Sequence, residues 1–150
     1  MLSPSESKVY FFFNNYKITL KNRQKLKEFI LSVFKTEGKQ PGTVNYIFSS
    51  DKVMFDINRR YLKHAFPTDI ITFDLSTDKN EINADIYLSP VRIKSNAKDI
   101  GVSFKSELHR VILHGVLHLC GYKDKSEEDK RVMRKKEDYY LNVFLKRNSF

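Results

Sequence analysis

The run from His114 to Asp124, His-Gly-Val-Leu-His-Leu-Cys-Gly-Tyr-Lys-Asp, constrains this 150-residue chain more than any other stretch. His114 and His118 stand four apart among apolar residues. On an α-helix that spacing puts them on one face, offset by roughly 40° of arc and about 6 Å of rise. Gly121 suits a left-handed cap that ends the helix and turns the chain back. The return brings Asp124 towards the same face. The pattern His-x3-His-x5-Asp thus reads as three donors for one metal ion, with a position left open for water or a substrate oxygen.

The elements around this helix follow from periodicity. Residues 9–14 are an apolar, aromatic run that reads as a strand. Residues 21–34 place Leu26, Phe29, Ile30, Val33 and Phe34 at helical spacing. Pro41 and Gly42 then break the chain, and residues 43–49 alternate Val44, Tyr46 and Phe48 as a half-buried strand. Ser50 or Asp51 caps a helix whose expected apolar stripe is Val53, Met54, Ile57 and Tyr61. Two strands follow at 69–75 and Ile82–Leu88. A short helix starts at Pro90 after Ser89 and runs to about Ala97.

Gly101 separates that helix from the histidine-bearing one at 103–119, which is expected to bury Leu108, Val111, Ile112 and Leu117. Ser126 and Asp129 form a capping-box pattern before a last helix, whose acidic first turn and basic last turn suit its dipole. Strands mixed with helices in this order predict an α+β domain over residues 1–150, a mixed β-sheet packed with helices. The metal site is expected on a central helix.

A chain of this length can bury a real core. A formal net charge of +9 points to an anionic partner, nucleic acid before membrane. Cys120 is the only cysteine, so no intramolecular disulfide forms. It reads as a buried small hydrophobe. No signal peptide and no membrane-spanning run is seen, so a reduced, cytoplasmic location is expected.

Gly115 separates this motif from the zinc peptidases. Their His-Glu-x-x-His carries a glutamate after the first histidine as general base; glycine cannot take up a proton. His109 lies five residues before His114, about 140° around the helix, and should face elsewhere. His64 falls in a loop-like stretch away from the motif.

The residues from His114 through Tyr122 resemble the signature of the YbeY family of metal-dependent endoribonucleases. Two further blocks carry the resemblance in the family's order: Ile57, Asn58 and Tyr61 with residues 67–73 (Pro-Thr-Asp-Ile-Ile-Thr-Phe), and Asp85 with Ile86, where Ala84 replaces a glycine. The resemblance implies a zincin-like fold and one zinc ion. It also implies cleavage of single-stranded RNA in maturation of small-subunit ribosomal RNA, and ribosome quality control. Ribosomal RNA and the small ribosomal subunit are the implied partners.

The family's third histidine is Asp124 here, preceded by Lys123. Zinc accepts a carboxylate in catalytic sites, and the added negative charge is expected to widen the preference towards manganese or magnesium. The arginine that follows the family's tyrosine falls on Leu62.

The expected ligands and catalytic residues are therefore His114, His118 and Asp124. Arg59, Arg60 and Lys63 are expected to bind the RNA backbone, with Thr68 and Asp69 lining the cleft. The rivals are a metal hydrolase of another substrate and a ribosome-associated RNA-binding factor with a structural metal.

Overall fold

Runs rich in aromatic and β-branched residues become strands, and the 3.6-residue stripes become helices. The structure is a computed structural model that describes residues 7–14, 18–62, 68–78 and 80–147. Its elements run β1 (Lys8–Phe13), α1 (Arg23–Thr36), β2 (Pro41–Phe48), α2 (Asp51–Tyr61), β3 (Ile70–Asp74), β4 (Ile82–Leu88), α3 (Pro90–Ile100), α4 (Phe104–Leu119) and α5 (Glu127–Arg147). The strands form one mixed sheet ordered β1-β2-β4-β3. The β1–β2 and β2–β4 pairs are parallel, and β3 is antiparallel to β4. The architecture is α+β, as the element order predicts.

Alternation in the strands sends one side of the sheet into the core: Val44, Tyr46 and Phe48 from β2, and Ile82, Ala84, Ile86 and Leu88 from β4. Against that side packs the stripe of α1, with Leu26, Phe29, Ile30, Val33 and Phe34 all buried. In α4, Leu108, Val111, Ile112 and Leu117 are buried as expected, and Leu113 and Val116 join them. Burying such a side chain contributes about 1.5–3 kcal/mol, so α4 is anchored along its length. It packs on the sheet and is covered by α3 and α5.

At Gly115, α4 lies close against the sheet. A Cβ there would stand 3.1 Å from Ile70 Cδ1 and 3.3 Å from Ile86 Cδ1. Gly115→Val is expected to lose about 1–3 kcal/mol of stability by overpacking, read as a lower urea midpoint with an unchanged slope. An unchanged midpoint would show that the helix can lift off the strands at no cost.

Local signals set the ends. Ser50, Ser89 and Ser103 cap α2, α3 and α4 by accepting the amide hydrogens of Val53, Arg92 and Ser106. Before α5, the Asp129 amide donates to Ser126 Oγ at 3.0 Å, and the Ser126 amide donates to Asp129 Oδ2 at 3.3 Å. This is the expected capping box.

Two expectations change. Pro41 and Gly42 open β2 rather than break the chain, because a proline at the first residue of a strand gives up no ladder hydrogen bond needed there. The expected stripe of α2 is covered only in part: Met54 is buried with Asn58 beside it, Val53 and Ile57 are half-buried, and Tyr61 is exposed. Among the described residues this helix packs mainly on β3 and α3, so a narrow strip of it is covered. Among the described residues, no helix is long and apolar enough to cross a membrane.

Candidate active site

The site is built on the exit from α4. Cys120 is the C-cap, Gly121 takes a left-handed φ of 106°, and two hydrogen bonds close the turn. Gly121 N–H donates to His118 O at 3.0 Å, and Tyr122 N–H to Leu117 O at 3.1 Å. This is the Schellman pair, which redirects the chain across the end of the helix. Asp124 then lies beside α4, with its Oδ2 3.3 Å from His114 Nε2.

The other nitrogen of His114 is held from α5. Its Nδ1 stands 2.7 Å from Glu137 Oε2, and Arg110 Nη1 donates to Glu137 Oε1 at 3.3 Å. Arg110 also pairs with Asp138 at 2.8 Å. Glu137 is 4% exposed, and a carboxylate so buried must be paired. Burial opposes a charge on His114, but Glu137, Asp124 and Asp69 outweigh it and raise its pKa.

These groups line a cleft of about 740 Å³ between β3, α4 and α5. His118, Thr68, Asp69, Leu62, Lys125 and Arg134 line it too. Asp69 accepts from Asn96 Nδ2 at 3.5 Å, and burial raises its pKa against the opposing pull of His114. Burial likewise raises the pKa of Glu107 on the same lining.

His118 is exposed on the same wall. Among the described residues, no group of three or more histidine, cysteine, aspartate or glutamate side chains is arranged to hold a metal ion as it stands. Arg59 and Arg60 line a separate hollow with Asp56, Ile57 and Tyr61. Lys63, His64 and Pro67 lie outside the described residues. His109 faces away, as its angle predicts, with its ring 5.1 Å from that of Phe144. Burial pushes the Cys120 thiol up to about 12, so it stays protonated and inert.

Sequence reasoning missed Glu137, Arg110, Lys125 and Arg134. For Glu137 a signal existed. It falls on the apolar stripe of α5 with Met133, Tyr140, Leu141 and Phe144, and a carboxylate on a buried face calls for a partner. Nothing local named that partner.

Residues 11–145 match the family described as Endoribonuclease YbeY. An endoribonuclease YbeY of Flavobacterium psychrophilum is 46% identical over 132 residues, 87% of this chain and 94% of the relative. One of Karelsulcia muelleri is 46% identical over 131 residues, 87% of this chain and 92% of the relative. The fold is similar to the solution structure of the Thermotoga maritima protein TM1509, with a TM-score of 0.61, 26% identity and coverage of 93% and 91% of the two chains. Motif, fold and relatives agree, and the chain belongs to the YbeY family.

Proposed function

We propose that this protein is a metal-dependent endoribonuclease that cuts single-stranded RNA in the maturation of small-subunit ribosomal RNA and in ribosome quality control. The observation that carries the reading is His114 held between Glu137 and Asp124 in a cleft whose wall also carries Arg134 and Lys125. Two donors on one tetrahedral zinc, each about 2.0–2.1 Å from it, stand about 3.3 Å apart. The His114 Nε2 and Asp124 Oδ2 atoms have that separation. His118 is one helical turn on and lines the same cleft.

Two imidazoles and a carboxylate are donor types that suit a divalent ion, which His114, His118 and Asp124 would hold. Bound there, it supplies Lewis-acid polarisation at a phosphodiester oxygen.

The chain's own groups do the rest. Glu137 accepts the Nδ1 proton of His114, which leaves Nε2 as the donor atom and fixes the ring. Arg110 is engaged by Glu137 and Asp138. Arg134 and Lys125 carry the remaining positive charge of the cleft wall and face the RNA phosphates. Arg59 and Arg60, at the end of α2, extend the basic track outside the cleft.

The test is single-turnover cleavage of single-stranded ribosomal RNA by metal-stripped protein, with zinc, manganese or magnesium added back. Cleavage is expected only after addition. Arg134→Ala and Lys125→Ala should each weaken RNA binding and reduce its salt slope by about one. Full cleavage by stripped protein would overturn the metal requirement, and an unchanged slope would remove these two side chains from the phosphate track.

A further inference from the structure

Asp124 reaches His114 from a loop that holds few bonds of its own. After the Tyr122 amide bonds Leu117, no backbone–backbone hydrogen bond among the described residues is made by Lys123, Asp124 or Lys125. The Asp124 side chain is 46% exposed. A loop of this kind needs an anchor if one of its carboxylates is to stay within 3.3 Å of a ring nitrogen.

The anchor lies two residues earlier. The Tyr122 hydroxyl donates to Glu37 Oε1 at 2.7 Å. Glu37 Oε2 accepts from Lys136 Nζ at 3.2 Å and from the Tyr140 hydroxyl. The Lys136 ammonium also stands 5.5 Å from the centre of the Tyr122 ring, within cation–π range. Glu37 is itself the C-cap of α1, its amide bonded to Val33 O, and its side chain is only 10% exposed.

One carboxylate thus ties the end of α1, the exit loop of α4 and the middle of α5. Burial alone would raise its pKa, but the hydrogen bonds from Tyr140, Tyr122 and Lys136 outweigh this and lower it. The carboxylate remains charged and fully engaged.

Placement on α5 gives this cluster its meaning. Lys136 precedes Glu137, and Tyr140 lies one turn on. A single turn of α5 therefore supports His114 directly, through Glu137, and the Asp124 loop indirectly, through Glu37 and Tyr122.

We propose that Glu37 is a positioning residue: through Tyr122, Tyr140 and Lys136 it fixes the loop that brings Asp124 to His114. The role rests on the reading of Asp124 as a ligand. Glu37 touches neither RNA nor metal and acts only through the loop.

The test is zinc affinity of the full-length protein, measured by competition with a chromophoric chelator. Glu37→Gln and Tyr122→Phe are expected to weaken zinc about tenfold, at the lower end of what loss of an outer-sphere partner costs. Amide exchange at residues 121–125 should speed up in both. Tyr122→Phe removes one oxygen and keeps the ring, so it decides the matter if Glu37→Gln does not fold.

Val44→Ala, a core change away from the cleft, lowers stability without touching the loop and should leave zinc affinity within twofold. If Glu37→Gln and Tyr122→Phe bind zinc like wild type while Asp124→Ala loses it, the cluster only stabilises the fold and the proposal fails. If Asp124→Ala keeps wild-type affinity, the ligand reading fails and takes the positioning role with it.

Discussion

Replacing His114 by alanine is expected to lower single-turnover RNA cleavage by on the order of a thousandfold while RNA binding persists. The imidazole is in contact with both Glu137 and Asp124. Losing it removes the ring nitrogen proposed to hold the ion, whose electrostatic contribution is several kcal/mol. Each 1.4 kcal/mol is a factor of ten in rate.

Alanine also leaves Glu137 buried with Arg110 as its remaining described partner, which costs about 1–3 kcal/mol of stability. His114→Gln therefore belongs beside it, with folding checked by circular dichroism. Equal cleavage by wild type and variant would trace the activity to a contaminant. Intact binding to small subunits with no cleavage by either protein would favour a ribosome-associated binding factor.

A second large effect is expected in acid, and it does not involve the cleft. His109 is 6% exposed within α4, and among the described residues its Nδ1 has no hydrogen-bond partner. Burial, aided by the charge of Lys105, lowers its pKa from 6.5 to about 4. Above pH 6.5 the ring is neutral in both folded and unfolded chains, and its contribution to stability is fully present. As pH falls from 6.5 towards about 4, the unfolded chain takes up the proton first and stability is lost.

The loss between about pH 7 and about pH 4.5 is roughly 2–3 kcal/mol. His114, whose pKa is raised, contributes with the opposite sign, so the measurement is a comparison. His109→Leu should lose less stability over this window than wild type in denaturant melts. Equal losses would show that His109 is protonated without cost in the folded protein.

What could be read in advance was local. The α1 stripe, the serine caps, the box at Ser126 and the stop at Gly121 each depend on residues within about five positions. Chain geometry at that range is nearly independent of the fold. The angle between His109 and His114 is of the same kind: His114 lines the cleft and His109 does not, packing on Phe144 instead. The α2 stripe, covered at Met54 and open at Tyr61, shows the limit: periodicity reveals which residues share a face, and packing decides how much of that face is covered.

The site divides along the same line. By itself the sequence determined that His114 and His118 share a helix face, that the helix stops at Gly121, and that the chain returns with Asp124. It also identified the family. Only the tertiary structure decided that Glu137, 23 residues away, holds His114, and that Glu37, 85 residues from Tyr122, anchors the loop. The fold also separated Arg59 and Arg60 from the cleft and placed Arg134 and Lys125 on its wall. The physical reason is that a helix turn is set by its neighbours in sequence. A buried carboxylate is satisfied by whichever donor the packing of separate elements brings within reach.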